Sequence, residues 1–419
     1  MNSRPRDLAR ARPADRQVGG FWRRRILDLL DDLHGGTLVV RDVHGTTLLG
    51  HADGDAPLCA TLTVHDEAFY RRVALGGSVG AGEAYFDGLW DCDDLVSLVR
   101  LLVRNRERLD AMESGFARFA GWLLRGWHAL RPNSRRGGSR RNISAHYDLG
   151  NPLFELFLSP DMMYSSAIFA SADETLEQAS LRKLETICAR LQLQPGDHVL
   201  EIGTGWGGFA IHAATRHGCR VTTTTLSAEQ RDFAQSRVAA AGLSDRITVL
   251  LDDYRDLGGQ YDKVVSIEMV EAVGAAQLPT YFAQLSGLLK PDGLALVQAI
   301  TIEDHRYRRA LREVDFIKRH VFPGSFIPST SAMLGAMAGH SDLGLLHLQE
   351  IGDSYALTLR EWRRRFEDAH DQVRALGYDE RFLRLWRFYL CYCEGGFLER
   401  SIGDVQMLFA RPGYRCRIE

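Results

Sequence analysis

Two short stretches of this 419-residue chain concentrate groups able to do chemistry. In "HVLEIGTGWGGFA", residues 198–210, an acid, Glu201, stands just before Gly203 and Gly205, and a helical pattern follows. In "VVSIEMVEAVG", residues 264–274, a second acid, Glu271, lies a few residues beyond an apolar run that reads as a buried strand. Glycines after a strand let the backbone turn sharply and approach a ligand closely. In open α/β sheets that edge is where cofactors bind.

A G-x-G turn alone also fits dinucleotide binders, so its neighbours must discriminate. Glu201 would repel a pyrophosphate and attract an ammonium group. That favours S-adenosylmethionine (SAM), with Glu201, Gly203 and Gly205 near its amino-acid end. The next strand ends in "TTTTLSAEQ", which offers Thr225 and Gln230 rather than a carboxylate for hydrogen bonding. "LLDDYRDL" then supplies Asp253 and Tyr254, suited to an adenine edge and face. No metal site is read: the seven cysteines are scattered without C-x2-C pairs and fit a reducing cytosol.

Residues placed at successive strand tips need an alternation of strands and helices to hold them, and residues 144–419 show it. "HVLEIG", "RVTTTTL", "ITVLLDD", "YDKVVSIE" and "GLALVQAITI" read as strands, with helical patterns between most of them and "VQMLFARP" as a final strand. The fold class expected is α/β, a doubly wound Rossmann-like sheet, with a smaller N-terminal α+β and helical domain. Residues 1–130 form that first, lipid-associated domain, 131–143 an Arg/Gly/Ser-rich linker, and 144–419 the α/β domain with a helical acyl-binding insertion. Within the first domain "DDLVSLVRLLVRNRERL" and "GFARFAGWLLRGWHAL" are amphipathic, as core helices or as surface helices resting on lipid. The linker arginines are either solvated or meet anionic headgroups. A formal charge of -3 argues against a nucleic-acid partner, and no run approaches the ~20 apolar residues that cross a bilayer.

The stretches "GEAYFDGLWDCDDL", "HYDLGNPLFELFLSPDMMYSSAIF", "VLEIGTGWGGFA", "TTLSAEQRDFA", "LLDDYRDL", "SIEMVEAVG", "FPGSFIPS" and "YALTLREWRRRF" run over nearly the whole chain. Together they make it similar to the cyclopropane-fatty-acyl-phospholipid synthase family of SAM-dependent methyltransferases. The resemblance implies transfer of a methyl(ene) carbon from SAM to the cis double bond of an unsaturated phospholipid acyl chain. The route is a carbocation and the product a cyclopropane. Tyr164 and Ser165 would contact SAM, and Thr225, Leu226 and Gln230 would line its nucleoside. A bound bicarbonate would serve as base, held by the Ser166 amide, Glu271, Gln298, the Ile300 amide and Tyr355.

Two of these positions depart from the family pattern, Ser166 replacing a cysteine and Gln298 a histidine. A main-chain contact survives the first change. The second removes a group that can carry charge or shuttle a proton. A methylene- or methyl-branched product therefore stands beside the cyclopropane. Rival readings are a catalytically silent lipid-binding protein and a methyltransferase for nucleic acid or a small metabolite; the intact SAM turn, Glu271 and Tyr355 disfavour the first. The expected location is cytoplasmic, peripheral on the inner face of the membrane, with a homodimer left open.

Overall fold

The computed structural model describes residues 20–112 and 149–415, with side chains from 20–109 and 149–415. The expected linker 131–143 and the amphipathic stretch 115–130 lie outside the described residues. The chain forms two compact units.

The first unit holds a sheet of β1 (Gly36–Asp42), β2 (Gly45–His51), β3 (Leu58–Val64) and β4 (Trp90–Cys92) in the order β2-β1-β3-β4. β2 was not visible as a strand because "GTTLLGH" lacks a clean alternation; it forms as the antiparallel return of β1. "DDLVSLVRLLVRNRERL" begins with the helix Leu95–Arg104, capped by Asp94 accepting from the Ser97 amide at 2.9 Å. Its Leu95, Leu98, Val99 and Leu101 are buried, so its apolar face is core.

Residues Val314–Arg319 and His370–Ser401 also belong to this first unit, which corrects the expectation of one helical insertion within 144–419. The physical reason lies in the helix Glu380–Leu398. At Gly395 an added Cβ would come within 2.6 Å of Val99 Cγ1, so the missing side chain admits the helix Leu95–Arg104. Phe388 packs on Phe316 at 4.7 Å and on Tyr85 at 5.5 Å between ring centroids.

In the second unit seven strands run β10-β11-β9-β8-β5-β6-β7: β5 (His198–Ile202), β6 (Arg220–Thr224), β7 (Ile247–Leu250), β8 (Tyr261–Ile267), β9 (Leu289–Ile302), β10 (Gly344–Glu350) and β11 (Ile402–Ala410). β5 to β9 are parallel, whereas β11 and β10 are added antiparallel at one edge. Alternate residues serve opposite faces. Val199 and Val265 pack with the helices Leu176–Arg190, Gly208–His217 and Ala228–Ala240, while Leu200 and Val264 pack with the helices Leu278–Leu288 and Thr330–His340. Helices on both faces make the sheet doubly wound, as expected. β10 escaped notice because its residues are mostly exposed at the sheet edge, which leaves no burial pattern to read.

Candidate active site

The strand order places the switch of direction at β5, from which the chain winds out to β7 and then returns on the other side through β8. The C-terminal tips of β5 and β8 therefore open beside one crevice. Both acids singled out in the sequence stand there, Glu201 within β5 and Glu271 just past β8.

At the β5 tip the Gly203 and Thr204 amides both donate to the Thr224 carbonyl at 3.0 Å, which ties the turn to β6. Gly203 has φ +105° and Gly205 φ +51°, and a Cβ on Gly203 would press on Met269 at 3.2 Å. Only glycine meets both demands there. Glu201 is buried and accepts from the Thr223 hydroxyl at 2.6 Å, and Thr223 in turn pairs with Thr204 at 2.7 Å. Burial pushes the Glu201 carboxyl up to about 8, against the pull of Thr223 and of the Lys183 charge. A buried acid held this way at a glycine turn is complementary to a cationic ligand, so the residues present fit SAM.

Around that turn Tyr164 joins an aromatic wall, 5.1 Å from Trp362 and 5.3 Å from Phe154 between ring centroids. Trp362 also lies 6.2 Å from Tyr355. Ser165 is buried and accepts from Lys183 Nζ at 2.8 Å. At the β6 tip the Thr225 hydroxyl donates to Gln230 at 2.8 Å, with Leu226 half-buried between them. Asp253 holds Arg255 with both carboxylate oxygens, at 2.8 and 2.5 Å. Tyr254, on the same turn, keeps a largely buried ring against Tyr281 at 5.7 Å.

The second group of acids is organised differently. Glu268, the first residue beyond β8, accepts from the Ser166 amide at 2.7 Å and from Gln298 Nε2 at 2.8 Å on Oε1, and from the Tyr355 hydroxyl at 2.7 Å on Oε2. The Ile300 amide donates instead to Glu271 Oε1 at 2.6 Å, and Glu271 Oε2 is buried without a hydrogen-bond partner among the described residues. The expected bicarbonate ligands thus do not assemble around one external anion. Four donors assigned to it serve protein carboxylates, and the residues present do not fit bicarbonate.

Asp404 on β11 completes this cluster, accepting from Gln298 Nε2 at 3.0 Å. Burial and the facing Glu268 charge hold Asp404 well above the usual carboxyl range; burial also raises Glu268, while the Ser166 amide, the Tyr355 hydroxyl and a hydrogen bond from Asp404 pull it down. Asp404, with the fewer donors, is the member that keeps its proton. Burial and the Glu268 charge push Glu271 up to about 8.

The orientation of Gln298 is fixed from a distance. Arg190 donates to Gln406 Oε1 at 2.6 Å, Gln406 Nε2 to Gln298 Oε1 at 2.9 Å, and Gln298 Nε2 to Glu268. An arginine has no acceptor, so each amide in the series can point only one way.

Glu268, Asp404 and Lys183 were missed from sequence. Lys183 had a signal, since it is the charged residue on the buried stripe of Leu176, Ala179, Ser180, Leu184 and Ile187. Glu268 lay within the quoted "SIEMVEAVG" motif itself. Asp404 came from a distant strand and had none. Cys188, His212 and His217 bring ligand atoms within 4.8 Å of one another, a grouping no linear spacing showed. Glu185 lies 3.2 Å from each imidazole, and burial lowers the pKa of His212.

A doubly wound sheet with a buried acid and glycine turn at its switch point defines a SAM-dependent methyltransferase. Residues 134–407 match the mycolic acid cyclopropane synthetase family, and the chain belongs to that family. It is 39% identical over 378 residues to tuberculostearic acid methyltransferase of Mycobacterium tuberculosis, spanning 88% of this chain and 86% of that protein. It is 37% identical over 370 residues to cyclopropane-fatty-acyl-phospholipid synthase of Escherichia coli K12, spanning 86% of this chain and 89% of that one. Among solved structures it resembles a mycolic acid cyclopropane synthase complexed with SAH and CTAB, with TM-score 0.61 and 29% identity, covering 65% of this chain and 98% of that chain. The protein is an enzyme, a SAM-dependent C-methyltransferase of this family.

Proposed function

We propose that the enzyme transfers a one-carbon unit from SAM to the cis double bond of an unsaturated acyl chain in a membrane phospholipid, through a carbocation, giving a cyclopropane fatty acid. The observation that carries this reading is an aromatic wall and a buried carboxylate cluster beside a SAM-type turn. Tyr355 belongs to both, through its ring contact with Trp362 and its bond to Glu268. When bound, SAM supplies a methyl group on a sulfonium, which a weak alkene nucleophile can attack. Glu201, Gly203 and Gly205 would hold the amino-acid end; Tyr164 and Ser165 border it; Thr225, Leu226, Gln230 and Tyr254 would line the nucleoside. Tyr164, Trp362 and Phe157 pack ring on ring, and such an aromatic wall would stabilise a cation without attacking it and exclude water that would quench it.

A second reading, a methylene- or methyl-branched product, is favoured by Gln298, which donates a hydrogen bond but carries no charge. The two products diverge only in which proton leaves the cation.

Among the described residues no helix is long and apolar enough to cross a membrane. An anionic membrane surface remains the proposed meeting place, with the enzyme peripheral on the cytoplasmic face. Its support is the arginine-rich sequence of 131–143. Within the described clusters, Arg23 pairs with Asp42 at 2.6 Å and Arg365 with Glu177 at 2.7 Å, while Arg24 and Arg25 are exposed.

The test is expression in a host lacking its own cyclopropane synthase, followed by mass spectrometry and proton NMR of fatty acid methyl esters. Ring protons identify the cyclopropane and vinyl protons the methylene branch. An unchanged lipid profile with folded, SAM-binding protein would refute the reading.

A further inference from the structure

We propose that Glu185, Cys188, His212 and His217 form a structural zinc site that ties the helix Leu176–Arg190 to the helix Gly208–His217. The inference goes beyond methyl transfer and does not depend on it.

The donor set is of the kind that selects zinc. Cys188 Sγ and one nitrogen from each of His212 and His217 lie within 4.8 Å of one another. A carboxylate joins them: Glu185 Oε1 is 3.2 Å from His212 Nε2, and Oε2 is 3.2 Å from His217 Nε2. One sulfur, two imidazoles and an oxygen make a four-coordinate set of the zinc type, and the soft sulfur disfavours magnesium and calcium. Zn–N and Zn–O bonds of about 2.0–2.2 Å set tetrahedral N···O edges of about 3.4 Å, close to the spacing found. An S···N edge would be about 3.6 Å, so Cys188 needs to close by no more than about 1.2 Å.

A second observation points to a ligand. His212 is only 9% exposed, and its Nε2 is buried with no hydrogen-bond partner among the described residues. The Glu185 oxygen beside it is near enough for a hydrogen bond but is not aligned for one. A buried polar atom left in this state destabilises the fold, and an ion among the four groups would satisfy it. Arg216 Nε lies 3.5 Å from Glu185 Oε1, but its side chain is 66% exposed and can swing into solvent as the ion enters. Helical spacing hides the site. His212 and His217 stand about 140° apart around an ideal helix, yet their ring centroids are 6.1 Å apart.

The position makes the ion structural. The first helix carries Lys183, which donates to Ser165, and the second begins at Gly208, directly after the glycine turn. His217 ends that second helix, about 14 Å along it from Gly208, so the ion would brace the turn from behind. Four protein ligands leave no open position for a reacting water. Glu185 and His217 are partly exposed and give a path from solvent, while Cys188 is fully buried and gives up its thiol proton to solvent on binding.

The experiment strips the full-length protein with a chelator and titrates it with Co2+, then with Zn2+ in competition. Wild type should bind Co2+ at one ion per chain, with the visible bands of tetrahedral cobalt and a sulfur-to-cobalt charge-transfer band. Zn2+ should displace the cobalt and raise Tm. Cys188→Ser, nearly isosteric, should lose the charge-transfer band. His217→Gln, at the helix end, should weaken Co2+ binding by more than about a hundredfold, beyond the loss that an outer-shell partner causes. Should Cys188→Ser fail to fold, His217→Gln decides. Folded wild type that binds no cobalt, a charge-transfer band that survives Cys188→Ser, or an affinity unmoved by His217→Gln overturns the site.

Discussion

The acid at the β5 tip and the acids past β8 are both buried, but they are satisfied in opposite ways. Glu201 takes a single side-chain hydrogen bond, from Thr223, and stands at a turn stripped of side chains. Glu268 takes hydrogen bonds from Ser166, Gln298 and Tyr355 and a further one from Asp404, the acid that keeps its proton. The first is built to be completed by a cation from outside; the second is complete within the protein. Burial alone does not define a carboxylate's task. The number and source of its donors do.

The largest expected effect comes from Glu201→Gln. Loss of a charge-assisted contact of about 1.5–3 kcal/mol should weaken SAM binding roughly tenfold to a hundredfold by calorimetry, with the ratio of lipid products unchanged. An unaltered affinity would erase the contrast between the two acids. Next, Tyr355→Phe removes one donor from Glu268 and should slow turnover about tenfold without changing SAM affinity. A matched loss of both would tie Tyr355 to the cofactor instead.

Proton counting sharpens the comparison further. Glu201 is raised to about 8, so it is mostly protonated at neutral pH, and an arriving ammonium favours its ionised form. Binding of SAM near pH 7 should release a proton, seen as a dependence of calorimetric enthalpy on the buffer, and Glu201→Gln should abolish the release. The smallest effect concerns stability. Glu271, raised from 4.5 to about 8 in the folded state, contributes fully below pH 4.5, and that contribution is lost as pH rises to about 8. Thermal unfolding of Glu271→Gln should therefore vary less over this window than that of the wild type.

Much of this was legible in the sequence where local pattern and local structure coincide. The five parallel strands and their helices follow from short apolar runs alternating with helical periodicity, and the Glu201 turn from its glycines. The acid cluster was half legible. Gln298, Ile300 and Tyr355 were identified by resemblance, but the partners that engage them come from the turn after β8 and from β11, and only the sheet order brings these together. The helix Glu380–Leu398 shows the same limit: its amphipathic pattern is plain, yet nothing local says that Gly395 exists to admit Val99.

The series from Arg190 through Gln406 and Gln298 to Glu268 has one more consequence. Amides have a head and a tail, and in a row of them direction is inherited from the end that cannot reverse. Reversing the charge at Arg190 would turn both glutamines end for end and aim a carbonyl at Glu268. A surface-side substitution three groups away would thus change the sign of what Glu268 feels while leaving each of its neighbours in place.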